Sequence, residues 1–252
     1  MERMLLGVEP DDESDEAMIV DMSSADNWLA VATCCEPLSG AVYLAALPVQ
    51  PGAEAVVFDQ GSRVDLADGV GVVGDQAGYL KVFELPGRPE IIASGLPMLD
   101  VAVSPAGDRL FVLVSAKYLA SIGVAAPAEL LGQEAVLTWV RGPGSWSGPE
   151  VFAELPGPGC RLAVSSDGRI AVLEADNLAG DLASPCVGNT MLVLRDDLVV
   201  SEIVIEGEAF DVDSAPAGAW LVSRRAGRPL LVREGSDDPI EVGGPGVLAA
   251  AG

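Results

Sequence analysis

Histidine is missing altogether from the chain, and that absence removes more chemistry than any other single feature. A serine or cysteine nucleophile has no imidazole to take its proton. A zinc site would have to gather all four cysteines, because the other common ligand type is not available. Those cysteines are Cys34, Cys35, Cys160 and Cys186. They contain no CxxC spacing, and adjacent residues on a strand point to opposite faces, so Cys34 and Cys35 cannot serve one ion together. Cys160 and Cys186 are the pair able to become neighbours, but reduced thiols and a cytoplasmic location are the expectation. Basic residues are scarce as well: 14 Lys and Arg face 38 Asp and Glu, for a net charge of −24. Phosphate backbones and anionic membranes need clustered cations, so nucleic acid and membrane partners are excluded. Such acidity maintains solubility, and any charged partner is expected to be a protein with a basic surface. No apolar run reaches the roughly 20 residues of a membrane helix. The patch of Met4, Leu5, Leu6 and Val8 is too short for a signal core, and acidic residues follow at once.

Apolar mass is nevertheless ample, at 50% of residues, with only 5% aromatic and with 29 Gly and 18 Pro as punctuation. The segment Leu99–Ser115, LDVAVSPAGDRLFVLVS, shows how that mass is used. Two short runs rich in β-branched residues flank a Pro-Ala-Gly-Asp turn, which reads as an antiparallel hairpin. The second run is apolar on both faces and predicts a strand covered from both sides.

The same unit returns along the chain. Four short strands recur within about 17–60, 61–95, 96–156, 157–207 and 208–244, separated by Gly, Pro, Asp and Ser turns. A four-strand repeat of roughly 40–50 residues is the sequence mark of a propeller blade. The strings SPAGDRLFV, SSDGRIAV and SAPAGAWLV resemble the blade signature of the YVTN-type and WD40-like β-propellers. The resemblance implies an all-β propeller of about five four-stranded blades in one domain. In the alternative, six blades include a closing one shared by residues 3–8 and the tail. The WD dipeptide and its Gly-His partner are absent, so the WD40 hydrogen-bond network is not implied. A β-sandwich of hairpins is the competing architecture, and it would not require the four-strand period.

Motifs that could carry catalysis dissolve on inspection. Gly69–Gly74 spells GxGxxG, but it lies inside a hairpin strand rather than between a strand and a helix. Gly144-Ser145-Trp146-Ser147-Gly148 has tryptophan where a nucleophile elbow needs serine. The acidic stretch around Asp11, Asp12 and Glu13 lacks the glycine and closing glutamate of a calcium loop. Asp21, Asp65, Asp100 and Asp211 recur in first strands, where lactonase-type propellers hold a metal. Counted from the turns they do not share one parity, so they read as solvated strand ends with no metal and no cofactor.

Two long insertions, about 117–134 and 175–189, are better placed for function. Both join a second strand to a third in consecutive repeats, so they are expected side by side on one face, together with the acidic residues 9–16. Long loops on a rigid scaffold commonly carry binding. The candidate partner-binding residues are Asp11, Asp12, Glu13, Tyr118, Leu119, Ile122, Leu130, Leu131, Asn177, Leu178 and Asp181. The function expected is a non-enzymatic protein-interaction scaffold, or a subunit of a larger assembly, with no catalytic residues. A metal-dependent hydrolase of lactonase type, using the first-strand carboxylates, is the alternative.

Overall fold

A computed structural model of the chain describes residues 18–25, 27–34, 40–47, 57–75, 77–96, 98–115, 134–175, 187–235 and 239–242. Its described residues form two compact units, divided between Ser94 and Gly95. The only helical turn among them is three residues long, Pro216–Gly218. Every strand pairing is antiparallel.

The first unit holds two four-stranded sheets, each in simple sequence order. One comprises β1 (Met18–Ala25), β2 (Trp28–Cys34), β3 (Ala41–Ala46) and β4 (Val57–Gln60). The other comprises β5 (Arg63–Ala67), β6 (Val70–Gly74), β7 (Leu80–Glu84) and β8 (Glu90–Ala93). Alternation along the strands places Ala30, Ala32 and Val42 of the first sheet against Val64, Leu66, Val73 and Phe83 of the second. Gly71 is required by this packing, since a Cβ there would lie 2.1 Å from the Phe83 ring.

In the second unit, β9 (Met98–Val103), β10 (Arg109–Ser115), β11 (Glu134–Gly142) and β12 (Ser145–Glu154) form a four-stranded sheet. A seven-stranded sheet follows, running from β13 (Gly159–Val164) through β14 (Ile170–Glu174), β15 (Gly188–Arg195) and β16 (Leu198–Ala215). It continues through β17 (Ala219–Arg224) and β18 (Leu230–Arg233) to β19 (Ile240–Glu241). The 18-residue β16 does two jobs. Residues 198–204 pair with β15, and residues 209–215 pair with β17. Gly207, at φ 92°, lies between the two halves in a conformation that side chains resist.

Strand β10 is buried from Leu110 to Ser115, as its two apolar faces require. Phe111 and Leu113 pack with Leu162, Val164, Ile170 and Val172 of the neighbouring strands. The other face of that neighbour, with Ala171, Leu173, Met191 and Val193, packs on Val212, Trp220 and Val222. Each layer is therefore covered by the next, and covered sheets explain the non-alternating hydrophobic runs.

The Ser/Asp/Gly hinges fold as their chemistry dictates. Ser104 Oγ donates to Asp108 (2.7 Å) and accepts from the Arg109 amide (2.9 Å), while Gly107 takes φ 65°. Ser165 Oγ donates to Asp167 and to the Arg169 carbonyl, while Gly168 takes φ 81°.

Candidate functional site

Every residue named from the sequence as a partner contact lies outside the described residues: Asp11, Asp12, Glu13, Tyr118, Leu119, Ile122, Leu130, Leu131, Asn177, Leu178 and Asp181. What the structure does describe is the pair of roots from which the insertions leave. Ser115 pairs with Glu134 across β10 and β11, and Glu174 pairs with Thr190 across β14 and β15. Ser115 and Glu134 are buried. The two roots are neighbours. A Cβ on Gly159 would meet Leu113 at 2.9 Å and Val172 at 2.7 Å, and each of these lies two residues before its root. Gly188 closes the second root so tightly that a Cβ would overlap the Glu174 carbonyl oxygen.

Cys160, buried beside Gly159, is disulfide-bonded. This corrects the reduced thiol expected there.

The first-strand carboxylates take a different role from the one a metal centre needs. Counted from the last paired residue of each first hairpin, Asp21, Asp100 and Asp211 all stand four positions upstream. The parity mismatch expected from the sequence is thus corrected: turns of unequal length had hidden a common register. Asp65 stands two positions upstream, on the same parity, and Arg63 holds its sheet's four-upstream position. Arg161 holds that position between Asp100 and Asp211. In four of the strands a one-residue bulge immediately precedes the charged residue, at Val20, Leu99, Cys160 and Phe210.

These side chains stitch neighbouring first strands together. Asp21 accepts the Val64 amide at 2.9 Å, and Asp100 accepts the Leu162 amide at 2.8 Å. Asp65 accepts from Ser23 Oγ at 2.6 Å and from the Leu66 amide at 2.9 Å. Arg161 Nε lies 3.6 Å from Asp211. A carboxylate accepting backbone amides is committed to holding strands, and among the described residues no cluster of three metal-ligating side chains forms.

Two further polar groups escaped the sequence reading. Lys81 is nearly buried and reaches Asp59 (3.2 Å), Asp75 (3.4 Å) and the Gln60 carbonyl (3.0 Å). Arg169 donates to both oxygens of Asp167, to Glu234 and to the Gly218 carbonyl, with its guanidinium 5.9 Å above the Trp220 ring. The hydrogen bonds from Arg169, with that from Ser165, hold the Asp167 carboxyl down to about 2. Asp167 in turn raises the Arg169 pKa. Only the motif SSDGR hinted at this knot, because its other partners, Gly218, Trp220 and Glu234, come from another repeat.

Solved structures similar to this chain share its layered four-strand sheets. TolB from Acinetobacter baumannii is 14% identical with TM-score 0.57, over 85% of this chain and 51% of TolB. YCF48, in a structure bound to D1 peptide, is 10% identical with TM-score 0.54, over 90% of this chain and 68% of YCF48. Hsv2 from Kluyvelomyces marxianus is 12% identical with TM-score 0.50, over 86% of this chain and 65% of Hsv2. All three are β-propeller proteins. The chain has the β-propeller fold. The sandwich alternative is excluded with it. This propeller spans about half the length of TolB. No family model matches it, and no curated protein matches it. At such identities the likeness carries the fold alone, and propellers host many functions.

Proposed function

We propose that this propeller is a non-enzymatic interaction scaffold, or a subunit of a larger assembly, that engages a protein partner through the insertions at about 117–134 and 175–189. The observation that carries the reading is the adjacency of the two roots, Ser115–Glu134 and Glu174–Thr190, on strands packed against each other. Two long loops leaving neighbouring points of a rigid scaffold present one composite surface. The acidic residues 9–16 and the net charge of −24 favour a partner whose docking surface is basic. YCF48, one of the similar propellers, has been seen with a peptide bound, which supports a protein ligand as the class. Asp21, Asp65 and Asp100 accept backbone amides and Asp211 faces Arg161, which supports the scaffold reading over the hydrolase alternative.

The test replaces 117–133 with a short Gly-Asn turn, keeping the Ser115–Glu134 pair, and compares the variant with wild type in proximity labelling from the native cell. The expected result is a protein labelled by wild type and lost by a variant whose circular dichroism is unchanged. Identical labelling by both forms would overturn the reading.

A further inference from the structure

The outer strands of the sheets are the places where another chain could add itself, and most are guarded. Strands β4 and β8 have four residues each and β19 has two. Strand β12 is longer, but it carries Gly148, Pro149 and irregular register. Shortness, proline and bulges are the usual defences of an edge.

The first half of β16 is different. Leu198–Val204 contains no proline, glycine or lysine, and its single bulge, at Val200, lies next to the hairpin; a second register shift follows over 205–208. Strand β15 covers one side, and among the described residues no strand pairs with the other. Leu198, Val199, Val200 and Val204 are 65%, 43%, 44% and 71% exposed, four of the eleven exposed large hydrophobics among the described residues, all within seven positions. Around them Asp196, Asp197, Glu202, Glu206 and Glu208 are all exposed, against one cation, Arg195, in the same stretch.

We propose that the Leu198–Val204 edge, which stops where the Arg224 guanidinium takes the Glu206 carbonyl, captures an extended, basic segment of a partner protein by strand addition. Main-chain N–H and C=O groups of the added strand would complete the ladder, and its alternate side chains would set the specificity. On the exposed face, apolar side chains fit beside Val200 and Val204, and a lysine or arginine fits beside Glu202, where opposite charges across a pair are favourable. A second copy of this chain is the wrong occupant, because antiparallel self-pairing would bring both sets of carboxylates onto one seam. Val204 is the ladder partner of the root residue Thr190, but the open edge lies on the side of β16 away from β15, and the proposal does not use the insertions.

The experiment titrates the intact protein with a dye-labelled peptide of roughly ten residues, carrying Val and Lys in turn at every second position with Thr between them, so that both fall on the face of Glu202 and Val204. Saturable one-to-one binding is expected by anisotropy, weakening as salt is raised. The double variant Val200→Lys, Val204→Lys, with circular dichroism unchanged, is expected to lose roughly tenfold in affinity. A peptide of the same side chains with every backbone amide N-methylated should lose as much on the wild-type protein, whatever the variant's folding. Three results would overturn the proposal: no binding of the Lys-Val peptide, equal affinity of the N-methylated peptide, or equal affinity of the double variant. A wild-type dimer in sedimentation velocity, abolished by the two lysines, would assign the edge to a second copy and overturn it as well.

Discussion

Asp100 shows how one buried carboxylate joins two layers. Its oxygens accept the amides of Val101 (3.1 Å) and Leu162 (2.8 Å) while the residue is 5% exposed. Asp100→Ala strands both donors away from water, and each unsatisfied buried amide costs on the order of 1–3 kcal/mol. The urea midpoint should fall accordingly, and Asp100→Asn, with one acceptor oxygen, should recover only part of the loss. Asp167 gives a pH signature. Its carboxyl titrates near 2 in the folded protein against 3.8 ordinarily. A depressed folded value means that its contribution is complete above 3.8 and is lost as the pH falls toward 2. Urea midpoints followed across that range should drop, and the Asp167 part of the drop should shrink in Arg169→Met, leaving the share held by Ser165.

At the scale of elements, the hinges were legible and the charged register was not. Ser104, Gly107 and Asp108 act within one turn, so their spacing in the sequence is their spacing in space. Asp21, Asp100 and Asp211 share a register only when the last ladder pair is known, and loops of different length conceal it. The Arg169 knot was invisible for a related reason: Glu234 is 65 residues away. The candidate partner segments stand out in the sequence because they interrupt an otherwise tight strand period, and the residues named in them lie outside the described residues. Tight packing between elements also makes a prediction. Gly71→Ala would drive a methyl into the Phe83 ring, and such overpacking typically costs about 1–3 kcal/mol. Thermal denaturation should register the shift, and Phe83→Leu should relieve part of it in the double variant.

For the molecule as a whole, a net charge of −24 sets the response to salt. Like charges repel within a compact chain, and added salt screens them. The melting temperature should therefore rise with sodium chloride, while association with any basic partner should slow. Opposite salt trends in stability and in association rate, measured on one preparation, would separate the two effects. A melting temperature indifferent to salt would show that the acidic residues are spaced widely enough to ignore one another.

Strand β16 also has a mechanical meaning. One unbroken run of backbone is the outer member of one group of strands and the first member of the next, with Gly207 between the halves. A tensile load entering from either side meets no slack linker there. Peeling β15 away delivers the pull straight into the β17 pairing, so the two groups should rupture as one event. In a single-molecule stretching trace, residues 159–241 should appear as one long release of contour rather than two short ones. Inserting a flexible spacer after Gly207 should divide it.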